Sequence, residues 1–180
     1  MVNYYTNPLW IAYNNQNKEE FLKCFSNNNI NSSELGTLLR IAASERRGTW
    51  VKLLLKLGAD PQYTPEHSHL YPMYKALQHA CGGEWEVLNA FQESGVSLQE
   101  ISKYTHISNC SLVFAFKERN IDVANYLINN NVKVSDYKSL MEAVWSEESF
   151  SLLKNNPQAF TEDDLEKFEE NKFNLLLSLS

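Results

Sequence analysis

The chain has 180 residues, 43% hydrophobic and 21% charged, with a formal net charge of -6. That composition belongs to a globular protein the size of one ordinary domain and excludes a disordered chain. No apolar run approaches the roughly 20 residues that a membrane-spanning helix needs, and "MVNYYTNPLW" lacks a basic stretch leading into an apolar core, so a cytoplasmic protein without a secretory signal is expected.

The charge is local. Residues 161–170, "TEDDLEKFEE", hold six acids and one base and leave the remainder at -1. Nucleic acid, which wants a basic footprint, is not an expected partner, and neither is a membrane. Three widely spaced cysteines, Cys24, Cys81 and Cys110, fit buried thiols in a reducing compartment better than a disulfide framework.

Taken in chain order, short apolar-periodic segments come in pairs. "NPLWIAY" (7–13) is followed by "EEFLKCF", and "TLLRIAA" (37–43) by "TWVKLLLKL". Next come "YPMYKAL" (71–77) with "EVLNAF", "CSLVFAF" (110–116) with "DVANYLI", and "KSLMEAV" (138–144) with "SFSLLK". The first segments align on an alanine in sixth place (Ala12, Ala42, Ala76, Ala115, Ala143) and on Leu or Met in third. Places three and six share a helical face, where a methyl lets the next helix approach closely. Pro8 and Pro72 suit a first helical turn, which has no use for the missing N–H.

Each pair then meets a stop: Asn29-Ile30, Gly58-Ala59, Gly95-Val96, Asn131-Val132, and more weakly Asn156-Pro157. Glycine, then asparagine, best tolerates the left-handed backbone beyond a helix end. The stops are 29, 37, 36 and 25 residues apart. Segments this short are marginal in isolation and must be stabilised by their neighbours.

These residues resemble ankyrin repeats, whose pattern of threonine-proline-leucine-histidine-any-alanine, a second helix and glycine-alanine-aspartate recurs every 33 residues or so. Residues 37–60 match it without a gap, as do 110–132 with Asn131 in the glycine place; the other units match more loosely, the third with about one extra helical turn near "QHACGG". The resemblance implies an all-α, ankyrin-like solenoid with units near 7–31, 37–62, 71–98, 110–134 and 138–157. The family's β-hairpin joins are expected to be reduced or lost, because "NINSSEL", "VSLQEI" and "VSDY" place serine where a helix cap belongs. Only 60–71, "DPQYTPEHSHLY", reads as a projecting loop. Residues 161–180 are expected to form a helix, opened by Thr161 with Asp164, that caps the row.

No catalytic constellation emerges. His67, His69, His79 and Cys81 have spacings foreign to common zinc sites. No nucleophile signature surrounds a cysteine, and Gly82-Gly83 lacks the rest of a phosphate loop. No enzyme activity, metal or cofactor is therefore expected. Arg40, Arg46, Arg47, Lys52 and Lys56, offset by Glu45, make unit two basic, either as a solvated face or as a landing site for an acidic partner.

The resemblance implies a non-catalytic module that binds another protein, as a monomer, on a concave face built from the joins and the two residues after each alanine pair. By position these are Asn14-Asn15, Ser44-Glu45, Gln78-His79, Lys117-Glu118 and Trp145-Ser146, with Tyr63, His67, His69 and Tyr71 from the long loop and Tyr104 and His106 from the third join. Trp145 stands out: its place faces water in the family, yet indole is costly to expose and enriched in binding hot spots. The bland alternative packs it on the final helix. The asparagine-rich style is similar to ankyrin proteins of intracellular bacteria or large viruses, which implies a host protein, in the host cytosol, as target. A different reading makes the chain an inhibitor or immunity-type protein that covers a basic active site with its acidic C-terminal segment.

Overall fold

In the computed structural model, which describes residues 7–27, 30–63, 72–98, 111–134 and 136–179 (without the side chains of Met73 and 172–179), the chain is helical with no strand among the described residues. The helices are α1 (Pro8–Asn14), α2 (Lys18–Asn27), α3 (Ser32–Ser44), α4 (Gly48–Lys56), α5 (Pro72–Cys81) and α6 (Glu86–Glu93). After them come α7 (Ser111–Lys117), α8 (Ile121–Asn129), α9 (Tyr137–Ala143), α10 (Glu147–Lys154), a 3-10 turn (Pro157–Ala159) and α11 (Glu162–Leu179). The all-α expectation holds.

Four pairs turn between their two helices in one way. Gln16, Arg46, Gly83 and Arg119 take the left-handed conformation, with φ of 56°, 62°, 87° and 54°. The following N–H reaches back to the last turn: Asn17 to the Ala12 carbonyl (2.9 Å), Arg47 to Ala42 (2.9 Å), Glu84 to His79 (2.9 Å) and Asn120 to Ala115 (3.0 Å). His79 holds the alanine place in this turn because α5 has ten residues against seven in α1 and α7. That is the extra helical turn expected near "QHACGG".

The stops at Gly58, Gly95 and Asn131 are also left-handed, at 90°, 75° and 61°. Ala59, Val96 and Val132 donate back to Leu54, Phe91 and Leu127 at 3.0, 3.2 and 3.0 Å. Asn156 does not repeat this; its φ is -129°, and Pro157 opens the 3-10 turn instead. The Asn29 stop lies outside the described residues.

Two caps differ from the serines read from sequence. The cap of α3 is Asn31, so the helix begins five residues before the 37–43 segment. Asn31 Oδ1 accepts from the Glu34 N–H (2.8 Å), Glu34 Oε2 accepts from the Asn31 N–H (3.3 Å), and the Ser33 hydroxyl only supports Asn31 Oδ1 (2.8 Å). The cap of α9 is Asp136, which accepts from the Ser139 N–H at 3.0 Å. A carboxyl or carboxamide reaches the third N–H as readily as a hydroxyl, so the serines were interchangeable with their neighbours. In "VSLQEI" the serine is Ser97, and the acid that would complete a capping box with it, Glu100, lies outside the described residues.

Packing follows chain order. First helices meet first helices (α3 on α5, α5 on α7, α7 on α9), and second meet second (α4 on α6, α8 on α10). The five alanines are all buried, and Leu9, Leu39, Leu112 and Leu140 are fully so. A methyl on Gly48 would lie 2.8 Å from the Glu86 carbonyl oxygen, so α4 and α6 approach at backbone distance there.

Aromatic rings join pair one to pair two. Trp50, 2% exposed, meets the rings of Tyr13 and Phe21 edge-on at 4.9 and 5.0 Å. The Tyr13 hydroxyl donates to Glu45 (2.9 Å), while Arg47 pairs with Glu45 (3.0 Å) and lies 4.8 Å from the Tyr13 ring centre. Burial, then the hydrogen bond to Glu45, push the Tyr13 phenol far above its ordinary 10.0. The folded chain holds that proton tighter than the unfolded one, so this contribution is complete below pH 10.0 and declines as pH climbs from there toward the folded value. Alkaline titration of stability should show a loss above pH 10.0 that Tyr13→Phe makes shallower; an unchanged slope would remove Tyr13 from the explanation.

At the far end, Thr161 Oγ1 accepts from the Asp164 N–H (3.2 Å) and donates to Asp164 Oδ2 (2.9 Å), the expected cap. Phe168, 1% exposed, stacks on Phe160 (4.9 Å) and tilts against Phe150 (5.4 Å). The acidic helix therefore covers α10 with an apolar stripe. No helix among the described residues is long and apolar enough to cross a membrane.

Candidate functional site

Pair five breaks the turn rule, and the break makes a groove. After α9, Val144 is extended (φ -68°, ψ 122°), as is Ser146 (φ -152°, ψ 163°), where the other four pairs place a left-handed residue. The fully buried Ser149 holds this extended turn. Its Oγ accepts from the N–H groups of Trp145 (3.2 Å) and Ser146 (3.0 Å) and donates to the Ser146 carbonyl (2.7 Å), while Ser146 Oγ accepts from the Ser149 N–H (3.1 Å).

The half-buried indole of Trp145 packs edge-on against Phe116 of pair four, 5.7 Å between ring centres. It does not face water freely, as its place in the repeat pattern implied, and the ring it meets among the described side chains is that of Phe116. The extended turn swings it back onto the preceding pair. Between the turns of pairs four and five lies an open depression of about 360 Å³, lined by Arg119, Asn120, Ile121, Asp122, Trp145 and Glu148. Asn120 is committed to the scaffold: it accepts from the Val123 N–H (2.9 Å) and donates to the Cys81 carbonyl (3.1 Å). Arg119, Asp122 and Glu148 have no ion-pair partner among the described residues.

The other expected contact residues are scattered in character. Asn14, Asn15, Gln78, Lys117 and Glu118 are exposed. Glu45 is exposed but engaged with Tyr13 and Arg47. Tyr63 is less available than a loop tip suggests, because a methyl on Gly36 would lie 2.2 Å from its Cγ: the ring rests on α3. His79 is half-buried. His67, His69, Tyr71, Tyr104 and His106 lie outside the described residues.

The basic character of unit two is largely spent within the molecule. Arg46 pairs with Glu84 at 2.6 Å, Lys52 with Glu93, and Arg47 with Glu45, so two of these bridges cross to unit three. Exposed pairs of this kind add little stability, and here they mark a seam more than a landing site. Cys24 is buried as expected, and Cys110 lies outside the described residues. Burial, then Glu118, push the Cys81 thiol up to about 11, which keeps it neutral and a poor nucleophile. No group of three metal-ligating side chains gathers among the described residues.

Comparison with known proteins adds no family to this geometry. No family model, curated protein or solved structure matches the chain.

Ser149, Arg119 and Asp122 carry no signal of a site in the sequence, and the Glu147-Glu148 pair reads there only as a solvated helix start. "WSEES" does carry a cap signal, serine followed three residues later by serine, that marks a helix beginning directly after Trp145. It leaves no room for a left-handed turn.

Proposed function

We propose that the chain is a non-catalytic, ankyrin-type interaction module that holds a partner protein across the inner turns, with Trp145 as anchor. The carrying observation is the groove of pairs four and five: a half-buried indole, propped by Phe116 and ringed by three unpaired charges. Tryptophan held rigidly with its polar edge accessible is enriched at contact surfaces and among binding hot spots. The ankyrin-type reading draws on the repeated alanine places, the recurrent left-handed stops and the pairing of like helices in chain order. The asparagine-rich style favours a host protein as the target.

Trp145→Ala is the test, after affinity capture from a candidate host lysate has identified the partner. Losing the edge-on contact with Phe116 costs about 0.5–1.5 kcal/mol of stability, so binding is measured well below the unfolding midpoint. Affinity is expected to fall roughly 30-fold or more, the mark of a hot spot. Undiminished affinity would move the contact surface elsewhere.

A second reading, an acidic inhibitor, has one observation in its favour: Glu162, Asp163, Glu166, Glu169 and Glu170 are exposed on α11. It differs in requiring those charges for binding, whereas the groove reading requires only the apolar stripe of α11.

A further inference from the structure

The groove also specifies what it takes. We propose that it receives an arginine side chain of the partner protein, laid over the Trp145 indole with its guanidinium facing Asp122 and Glu148. This rests on the groove being the binding face and narrows it to one chemistry.

Charge complementarity decides the choice. Of the three unpaired charges lining the depression, two are carboxylates and one is the guanidinium of Arg119, so the site is net negative on a chain of net charge -6. An indole face is itself attractive to cations. Each remaining charge of the wall thus favours a cation except Arg119, which sits on the left-handed turn with an exposed side chain free to swing into water.

An anion would find less. Two helix N-termini, those of α8 and α10, border the groove and could in principle hold one. Each has its third N–H capped from within, Val123 by Asn120 (2.9 Å) and Ser149 by Ser146 (3.1 Å), which leaves the first two N–H groups of each helix to water. Both also carry an acid in the first turn, Asp122 on α8 and Glu147 with Glu148 on α10. A carboxylate or phosphate that reached for these N–H groups and Arg119 would meet Asp122, Glu147, Glu148 and the negative face of the indole on the way. Arginine suits the place better than lysine because its planar head can stack on the ring and fork onto a carboxylate together.

The test uses the full chain and a phage-displayed library of random dodecapeptides, counter-selected on the Trp145→Ala variant so that peptides held by the acidic α11 are discarded. Surviving sequences are synthesised and titrated against wild type, D122N/E148Q and R119Q; these exposed positions leave the fold intact, which circular dichroism checks. Peptides carrying arginine are expected, weakened tenfold or more by D122N/E148Q or by replacing that arginine with citrulline, and unaffected or strengthened by R119Q. Acidic peptides weakened by R119Q would overturn the arginine assignment while leaving the groove as the binding face. A library yielding no peptide that depends on Trp145 would overturn both.

Discussion

Phe168→Ala is expected to lower stability by about 3–5 kcal/mol, the usual cost of emptying a buried phenylalanine site. Against a total of about 5–15 kcal/mol for a domain, this is one of the most damaging single truncations the chain offers. The reason lies in the end of the row. After α10 the chain continues as the single helix α11, whose Phe168 stacks on Phe160 and tilts against Phe150. A denaturant titration measures the loss. The companion variant Glu166→Gln/Glu170→Gln touches only exposed acids and should shift the midpoint little. Partner affinity that survives this companion supports the groove, whereas affinity that vanishes with the charges supports the inhibitor reading. A near-neutral Phe168→Ala would mean that α11 does not cap the row.

Trp50→Ala should cost as much, again about 3–5 kcal/mol, for a different reason. Its ring is the common contact of Tyr13 and Phe21 and so fastens pair one to pair two. In a row stabilised by nearest neighbours, loosening one junction detaches the end beyond it before the middle melts. Amide hydrogen exchange should then accelerate first in α1 and α2, while α5 to α8 keep most of their protection. Acceleration spread evenly over all helices would show that the chain unfolds as a single block and that the junctions are not separable.

Much of this architecture was legible because the signals were local. A left-handed backbone after a helix demands glycine or asparagine, and Gly58, Gly95 and Asn131 were found by that demand alone. The alanines of the first segments announced close helix contacts because a methyl at that spacing has few other uses.

What escaped was decided by tertiary contact. Gln16, Arg46 and Arg119 adopt left-handed φ against their own preference because the helices on either side fix the turn, so no residue signal flags them. Tyr63 looked like a loop-tip aromatic, and only the bare surface of Gly36 gives it a seat. The basic residues of unit two looked like a surface patch because their partners, Glu84 and Glu93, are 38 and 41 residues away in sequence. Trp145 was singled out on repeat position, but the groove beside it exists because pair five abandons the turn used by the other four. Repeat position alone carries no sign of that departure.

The row itself is open to a direct distance measurement. With Cys24, Cys81 and Cys110 replaced by alanine or serine, spin labels on the exposed positions Lys23 (α2), Lys56 (α4), Asn125 (α8) and Lys154 (α10) report separations by pulsed electron resonance. Helix pairs stacked in chain order at interaxial spacings of about 8–10 Å should make the distance from Lys23 grow at every step, through Lys56 and Asn125 to its longest at Lys154. A Lys23–Lys154 distance shorter than Lys23–Asn125 would mean that the ends fold back on each other and that the pairs do not form a row.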